Sequence, residues 1–506
     1  MATGDGARSV LWQAPLVAVA AAAAYLATAS GEFYKTDGTD IVRLLDDHLQ
    51  GVPGALWPHP WHVGFLPALA WFRELLVALG LQPTFVQLGV WFSAIGAGVG
   101  VGFCHAAFRR LATIQVAWWA TLLLALCPTV TLFATVVEFH GPLLAPVGMC
   151  VWWTARQIDR PSWWGMALLG VLCHAAFLMD GQAMFLPLWL LLFFLARRGA
   201  RPARRDLGLA AVAGAVHLVL WLVMPRCLPG HYGFWADLSR GFAAEGSIGR
   251  PQSLDYLPAI VWQEWLRPLA PLSWLALGAL AVRSLRRDAV VLVLGLLPFL
   301  YVSVRQLVFE PEFGAYLLPM LPAAALLVAS LPIGRWGHLA VLLATVGNGL
   351  SLHPFGEADA VDGLPAAVAA AAGDAQPFLL VGSHRELTVV YERMGILARR
   401  RDPLREERFL WVRAQATLPV EKFTADQAIG VEQFLRLLIA QGRAVLITKT
   451  ALSSLEDPRG AMLAEKATLE VLPNEAMAGP KFAAHLRARF DLQPGPDPML
   501  YRLVPK

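Results

Sequence analysis

The stretch from Arg160 to Arg198 reads RPSWWGMALLGVLCHAAFLMDGQAMFLPLWLLLFFLARR. It contains two apolar runs, 163–179 and 183–196, joined by a short polar turn that begins at Asp180. Runs of this kind, free of internal charge and flanked by arginine, are typical of membrane-spanning helices. The stretch therefore predicts a helical hairpin in a membrane, with both arginine ends on one side and Asp180 on the other.

Similar apolar runs recur along the first two thirds of the chain. Of its 506 residues, 57% are hydrophobic and only 15% are charged, with a mean hydropathy of +0.53. A water-soluble domain is about 25% charged. After Glu357 the share of charged residues becomes ordinary. We therefore predict a membrane domain over residues 1–352 and a soluble domain over residues 353–506.

Eleven apolar segments are predicted to span the membrane. They lie at 11–30, 84–108, 112–129, 141–157, 163–179, 183–196, 207–225, 269–284, 288–304, 314–333 and 336–352. Segment 61–80 is also apolar, but it contains Arg73 and Glu74 and is flanked by prolines. We interpret it as a helix that lies on the interface or dips into it. A twelfth span here is the alternative, and it would break the charge pattern described next.

Arginine clusters predict the orientation of the membrane domain. With eleven spans they all fall on one side: Arg8; Arg109 and Arg110; Arg156 and Arg160; Arg197, Arg198, Arg201, Arg204 and Arg205; Arg283, Arg286 and Arg287; and Arg335. Short loops rich in arginine stay in the cytoplasm. We therefore predict a multi-pass protein of the inner (plasma) membrane, with the N-terminus in the cytoplasm and residues 353–506 outside it. Ala27-Thr28-Ala29 leaves open a cleaved signal peptide, although the apolar stretch is longer than such signals usually are.

Charge and cysteine usage argue against two classes of protein. The net charge is only +4, and no basic face with interleaved aromatic residues is visible, so nucleic acid is not an expected partner. Four of the five cysteines lie within apolar runs, so the sequence implies no disulfide framework.

The first outer loop, residues 31–83, opens with carboxylates. Asp37 and Asp40 closely follow the first span, and a short amphipathic helix is predicted directly after them, at 41–50. Two acids three residues apart can share one face of a turn. In a partly desolvated pocket such a pair can serve as base and as metal or hydroxyl ligand. The alternative, which spacing alone favours, is a solvated loop in which Asp40 caps the helix.

Further ionisable residues are predicted on the same outer side. They are His59 and His62 in the first outer loop; Glu138 and His140 between two spans; Asp180, with His174 a turn and a half before it; and Arg305, Glu310 and Glu312 at a late junction. Groups so near lipid are costly and usually face a cavity or one another. Ordinary interfacial placement is the alternative for each one singly. Together they predict a polar cleft at the outer leaflet.

The soluble region alternates strands and helices. Strands are predicted at 377–383 and 443–450, with helices from His384 and near 431–441, which indicates a small α/β domain. It contains no phosphate-binding glycine loop, no CxxC pair and no Ser/His/Asp pattern. The sequence of this domain therefore does not reveal its role.

Taken in order, the motifs of residues 10–352 resemble the glycosyltransferase C superfamily, whose members are membrane enzymes that use polyprenyl-phosphate sugars. The nearest resemblance is to its protein O-mannosyltransferase-like and aminoarabinose-transferase-like members. It rests on Thr36-Asp37-Gly38-Thr39-Asp40, on His59-Pro60 before an interfacial helix, on Asp180-Gly181 with Pro187, and on Phe309-Glu310-Pro311-Glu312-Phe313 followed by Tyr316-Leu317-Leu318-Pro319. Gly38 departs from the second acid found in many members, and Trp61 departs from the second proline of the His-Pro segment.

The resemblance implies an all-α membrane domain and a transfer reaction on its outer side. An acceptor hydroxyl or amine attacks the anomeric carbon of a lipid-phosphate sugar, with inversion. The family's first-loop aspartate is the base or orients the acceptor, which implies that role for Asp37, with Asp40 in support. Basic residues hold the departing phosphate, and Arg305 is the candidate because a guanidinium matches phosphate oxygens. The other outer residues are candidates for substrate binding, and Glu138 and His140 either line the acceptor side or hold a divalent metal ion.

The expected partners are a polyprenyl-phosphate sugar, a lipid, glycan or protein acceptor, and membrane lipids. Two other functions stay open. One is a transporter or flippase of a lipid-linked substrate, although the repeated halves that such proteins often show are not visible in this sequence. The other is a catalytically inactive relative that serves as an assembly partner, which the departures at Gly38 and Trp61 allow.

Overall fold

The structure is a computed structural model. It describes residues 4–29, 35–56, 62–199, 202–227, 261–306, 313–352, 363–382, 386, 409–411, 425–457 and 473–506. The chain divides into two compact units. The first comprises Met1–Gly31, Leu44–Pro83 and Gln87–His353, and the second comprises Glu32–Arg43, Thr84–Val86 and Pro354–Lys506.

The apolar segments form helices. Up to Leu352 the described α-helices are α1 (Gly4–Ala27), α2 (Lys35–Leu49), α3 (Phe65–Ala78), α4 (Phe85–Leu111), α5 (Ile114–Ala125), α6 (Pro128–Thr135), α7 (His140–Asp159), α8 (Trp163–Met179), α9 (Leu186–Arg198), α10 (Arg204–Cys227), α11 (Leu272–Gly278), α12 (Arg286–Gln306), α13 (Leu321–Ala329) and α14 (Gly334–Leu352). Short 3-10 helices precede α9, follow α11 and precede α13, at Gly181–Phe185, Ala279–Ala281 and Ala315–Met320. A π-helical turn covers Val261–Leu266.

Every predicted span coincides with at least part of a helix. By length and apolarity, two of the described helices can cross a membrane, Phe85–Leu111 and Arg204–Met224, and a third crossing results if α5 and α6 count as one bent span. Other helices, such as α8, are apolar but shorter. The structure therefore confirms apolar helices where they were predicted, whereas the number of eleven crossings stays a prediction.

Prolines divide one predicted span and shorten another. Segment 112–129 forms α5 and α6, which meet at an angle of 54°. Pro128 is tolerated as the first residue of α6, but inside one continuous helix it would remove a backbone hydrogen bond. Segment 269–284 is reduced to α11 and a short 3-10 helix, because α11 begins only after Pro271.

The first outer loop is more helical than predicted. Helix α2 begins at Lys35 instead of residue 41, so Asp37 and Asp40 lie in its first two turns. The expectation that Asp40 caps a later helix is therefore wrong. Acidic residues are favourable in the first turns of a helix because they face the positive end of its dipole. A helix is present within segment 61–80, as α3, whereas its position at the membrane interface stays a prediction.

Helix α4 packs closely on both sides through glycines. A Cβ atom added to Gly98 would lie 2.7 Å from the carbonyl oxygen of Ala18 in α1. A Cβ atom on Gly100 would collide with the backbone of Leu144 in α7. Small residues at a four-residue spacing let membrane helices approach in this way. The glycines thus position α7, which carries part of the candidate site.

The arginine-rich connections meet at one end of the helix bundle. Arg110 pairs with Asp159 at 3.2 Å, which joins the ends of α4 and α7. Arg197 pairs with Asp288 at 2.6 Å, which joins the end of α9 to the start of α12. Such partly exposed pairs each contribute about 0–1 kcal/mol. Arginine clusters that were predicted to share one side of the membrane therefore lie at the same end of the helix bundle. We call it the arginine end.

The second unit contains the predicted small α/β domain. Its sheet has the order β2-β1-β3-β5-β4, with β1, β2 and β3 parallel and the last two strands antiparallel. The described elements are α15 (Leu364–Ala372), β1 (Pro377–Val381), β2 (Phe409–Trp411), α16 (Ala425–Ala440), β3 (Ala444–Thr448), α17 (Lys449–Glu456), α18 (Pro473–Arg489), β4 (Phe490–Pro494) and β5 (Leu500–Pro505). Its core includes Phe378, Ile447 and Phe482. The helix predicted from His384 lies outside the described residues.

Candidate functional site

Three buried polar residues are hydrogen-bonded to one another at the end of the bundle opposite the arginine end. His140 Nδ1 lies 2.9 Å from Asp180 Oδ2, and Gln182 Nε2 donates to the same oxygen at 2.8 Å. The backbone N–H of Gln182 donates to Asp180 Oδ1 at 2.9 Å. The three residues are only 6%, 3% and 5% exposed, in the order His140, Asp180, Gln182. We call them the polar cluster.

Helix ends place these side chains. His140 is the first residue of α7, and the other end of that helix, Asp159, belongs to the arginine end. Asp180 ends α8 and is the N-cap of the 3-10 helix Gly181–Phe185. Aspartate is favoured at such caps because its carboxylate accepts a hydrogen bond from a backbone N–H. Gly141 lets the start of α7 approach α6, since a Cβ atom there would collide with the carbonyl group of Phe133.

Aromatic rings surround the polar cluster. The ring of Phe133 meets His140 edge-on at 4.8 Å between centroids, and that of Tyr316 does so at 6.2 Å. His62 stacks on Phe139 at 3.8 Å, with 9° between the ring planes. Two residues later, the backbone N–H of Gly64 donates to the carbonyl oxygen of Leu178 at 2.6 Å. The segment that begins at His62 is thereby held against the end of α8.

Asp180 is ionised at neutral pH. Burial by itself raises the pKa of this carboxyl group, but the hydrogen bond from His140 and the electrostatic interactions with His62 and His140 together outweigh it. The pKa of Asp180 therefore lies below its usual value. A charge this deeply buried is retained because hydrogen bonds compensate its desolvation.

Glu138 lies two residues before His140 and is 2% exposed. Its Oε1 atom accepts a hydrogen bond from the backbone N–H of Phe139 at 2.8 Å, and Ser93 Oγ donates to the backbone oxygen of Glu138 at 3.3 Å. Within the described ranges, no three His, Cys, Asp or Glu side chains are grouped so that they could hold a metal ion. A divalent ion at Glu138 and His140 stays a prediction of the family resemblance.

The structure brings some of the predicted site residues together. His140 and Asp180 are hydrogen-bonded, and an electrostatic interaction with His62 lowers the pKa of Asp180. Asp37 and Asp40 lie in the first two turns of α2, and Arg305 lies in the last turn of α12. The predicted residues that fall outside the described part are His59, Glu310 and Glu312.

Gln182 was missed by the sequence analysis. The signal for it was available, since it is a polar residue in a short turn between two apolar runs, two positions after Asp180. His174, in contrast, contacts other partners: its ring lies 5.7 Å from that of Phe177 and 5.8 Å from that of His217. The spacing of apolar residues does not indicate which neighbours a histidine on α8 contacts.

The polar cluster combines an ionised carboxylate, an imidazole and an amide. In an apolar bundle such groups can bind a polar substrate, fix its orientation and exchange a proton with it. His140 begins α7 and Asp180 caps a 3-10 helix, so the backbone determines the positions of both side chains.

The fold resembles that of a solved structure. The crystal structure of ArnT from Cupriavidus metallidurans, determined with bound undecaprenyl phosphate, matches 96% of this chain over 97% of its own length, with a TM-score of 0.53 and 13% identity. No family model and no curated protein matches the sequence. The protein therefore has an ArnT-like fold.

Proposed function

We propose that the protein is a membrane glycosyltransferase. It moves a sugar from a polyprenyl-phosphate donor to an acceptor hydroxyl or amine, with inversion at the anomeric carbon, on the side opposite the arginine end. The observation that carries this proposal is the buried polar cluster of a chain that is similar to ArnT over 96% of its length. Ionisable groups inside a membrane bundle are costly, and they usually mark functional sites.

The solved neighbour and the chemistry of this sequence support the proposed donor. ArnT was crystallised with undecaprenyl phosphate, and a lipid phosphate calls for a cation at the membrane surface. Arg305, in the last turn of α12, is the proposed phosphate ligand. Its planar guanidinium group can donate two parallel hydrogen bonds to phosphate oxygens. Asp37 and Asp40 are proposed to act on the acceptor.

A reconstituted transfer assay tests the function. The purified protein, in proteoliposomes, is given polyprenyl phosphates that carry different radiolabelled sugars, together with membrane extract as the source of acceptors. We expect a labelled product that is no longer polyprenyl phosphate-linked, and much less of it with Asp180→Asn. Movement of intact donor across the bilayer without such a product would favour a flippase. Donor binding with neither result would favour an inactive assembly partner.

A further inference from the structure

The end of the helix bundle opposite the polar cluster contains a pocket. Five helices line it, α4, α7, α9, α12 and α13, around about 510 Å³ of empty space, its open part included. On α9 the lining residues run from Trp189 to Arg197, which corresponds to about 12 Å along the helix axis. Arg197 pairs with Asp288 at the arginine end, and both residues line the pocket. The pocket therefore extends from the arginine end into the apolar part of the bundle.

Apolar side chains form most of the pocket wall. Phe108 and Leu111 belong to α4, and Leu326 and Leu327 belong to α13. The hydroxyl group of Ser330 donates to the carbonyl oxygen of Leu326 at 2.7 Å, so its hydrogen is already used. Water in such a space would lack polar partners, and an empty space would cost the wall its dispersion contacts. A hydrocarbon chain is the kind of ligand that matches these walls.

The charges that line the pocket are one cation and one anion, Arg197 and Asp288. Nη2 of Arg197 donates to Asp288 Oδ2 at 2.6 Å, and the guanidinium group also lies 5.2 Å from the centroid of the Phe193 ring. Within the described part of the chain, the other N–H groups of Arg197 and the Oδ1 atom of Asp288 have no further hydrogen-bond partner. The pair can therefore donate to a negative group and accept from a positive group at the same time.

We infer that this pocket binds phosphatidylethanolamine, a phospholipid whose head group carries a phosphate and a primary ammonium group. One acyl chain lies between the apolar walls. The phosphate accepts hydrogen bonds from the unused N–H groups of Arg197, and the ammonium group donates to Asp288 Oδ1. Because the pocket and the polar cluster lie at opposite ends of the bundle, this inference does not rest on the proposed function.

The head group determines which lipid the pocket selects. In a membrane, lipid tails are as apolar as the pocket wall, so contacts of the chain alone give little preference for one phospholipid over another. The side chains of Arg197 and Asp288 are 32% and 24% exposed. Water therefore screens their interactions with a head group in part, and we expect a moderate selectivity.

Lipid competition tests the head group. Purified protein in detergent micelles is loaded with radiolabelled dioleoyl phosphatidylethanolamine, and unlabelled lipids with the same two chains compete with it. We expect phosphatidylethanolamine to compete about two- to tenfold better than phosphatidylcholine or phosphatidylglycerol. The ammonium group of phosphatidylcholine is trimethylated and has no hydrogen to donate, and phosphatidylglycerol has no cation.

Substitutions of the ion pair separate its two charges. Asp288→Asn should remove the preference over phosphatidylglycerol, because the ammonium group loses its carboxylate. Arg197→Gln should weaken the binding of all three lipids, because each of them has a phosphate. Arg335→Gln is the matched control and should change no affinity, since the guanidinium group of Arg335 also lies 5.2 Å from an aromatic ring, that of Trp336, but outside the pocket.

Filling the pocket tests the place of the chain. Ala323 lines the pocket, so Ala323→Phe should displace the acyl chain and lose the labelled lipid. Ala340→Phe, at an exposed position of α14, is the control and should retain it. Glycerophosphoethanolamine, which is the head group without its chains, should not compete even in large excess.

Each result has a defined meaning. If phosphatidylcholine or phosphatidylglycerol competes as well as phosphatidylethanolamine, or if Asp288→Asn keeps the preference, the assigned head group is wrong. Competition by glycerophosphoethanolamine that equals that of the lipid would overturn the place of the chain, also where Ala323→Phe does not fold. Displacement by undecaprenyl phosphate that equals displacement by phosphatidylethanolamine would assign the pocket to the polyprenyl carrier instead. Sugar transfer is not measured in any of these experiments, so they leave the proposed function to its own assay.

Discussion

The Asp180 carboxylate is tolerated in an apolar bundle because three hydrogen bonds replace its hydration. Its partner His140 is 40 residues away in the chain, and the bond between them is 2.9 Å long. Each residue could be selected from the sequence as an ionisable group near an outer turn. Their pairing could not, because periodicity indicates which residues share a helix face and not which faces meet.

The lowered pKa of Asp180 makes its contribution to stability depend on pH. Because the folded-state pKa lies below the unfolded value, the carboxylate stabilises the fold at any pH above the unfolded value. That stabilisation is lost as the pH falls through the folded-state pKa. We therefore expect Asp180→Asn to lower the thermal midpoint at neutral pH, and the difference from wild type to shrink as the pH falls below the ordinary aspartate pKa of about 3.9.

Thermal unfolding of both proteins in detergent, at neutral and at acidic pH, measures this difference. Asp374→Asn is the control, since Asp374 is exposed in the second unit. A difference that keeps its size on acidification would show that the charge of Asp180 is not what stabilises the fold.

Arg305 tests the proposed donor site. If its guanidinium group holds the donor phosphate with two hydrogen bonds, lysine cannot replace it, because a point charge does not reproduce that geometry. Loss of a charge-assisted hydrogen bond costs about 1.5–3 kcal/mol, which is about ten- to a hundredfold in affinity. Arg305→Lys should weaken undecaprenyl phosphate binding by this factor, whereas Arg335→Lys at the start of α14 should not. Normal binding by the Lys and Ala variants of residue 305 would exclude the role.

Asp37 tests the first-loop prediction. As a group that orients the acceptor, Asp37 would lose a charge-assisted hydrogen bond in Asp37→Asn, which costs about 1.5–3 kcal/mol. Initial transfer rates should then fall about ten- to a hundredfold, with donor binding intact. Asp40→Asn should cost less. A dead Asp40→Asn beside a normal Asp37→Asn would mean that the wrong carboxylate was chosen.

At the scale of single helices, glycines determine how closely α4 packs against its neighbours. The four glycines Gly96, Gly98, Gly100 and Gly102 alternate along α4, so that two approach α7 and two approach α1. A Cβ atom on Gly100 would collide with the backbone of Leu144, whereas one on Gly347 in α14 would meet no atom within 4 Å. The same residue type therefore serves a close contact in one helix and none in another.

Matched substitutions measure that contact. Gly100→Ala forces α4 and α7 apart, and overpacking of this kind costs about 1–3 kcal/mol. Gly347→Ala should leave stability unchanged or raise it slightly, because alanine is the better helix former. Thermal midpoints in detergent, together with transfer rates, report both effects. Equal midpoints for the two variants would show that the approach of α4 to α7 is not tight in solution.

Helices and strands could be predicted from the sequence where a local run of apolar residues determines them. The helices of the bundle, and the strands β1 and β3, follow apolar runs bounded by arginine, glycine or proline. The division at Pro128 and the early start of α2 at Lys35 were not predicted, because hydropathy averages over single prolines and over short polar turns of helix. The hairpin of β4 and β5 was also missed, since the pairing that stabilises it depends on the rest of the sheet.

The orientation of the protein in the membrane is a property of the whole molecule. Ion pairs bring the arginine-rich ends of α4, α7, α9 and α12 together, and the polar cluster lies at the opposite ends of α7 and α8. Because short arginine-rich connections stay in the cytoplasm, we expect the arginine end of the bundle to face it. The proposed reaction, which uses a donor presented in the outer leaflet, requires the same orientation.

Accessibility of single cysteines tests this orientation. In a background with the five native cysteines replaced by alanine, Ala203→Cys places a thiol in the exposed connection before α10, at the arginine end. Asp374→Cys places one in the exposed turn before β1 of the second unit. With a membrane-impermeant maleimide on intact cells, we expect position 374 to be labelled and position 203 to be protected until the cells are lysed. Both should react after lysis, which shows that each thiol is reactive in itself.

The reverse pattern would invert the assignment of every loop, and it would place the polar cluster on the cytoplasmic side. Labelling of both positions in intact cells would instead mean that an odd number of membrane crossings does not separate them.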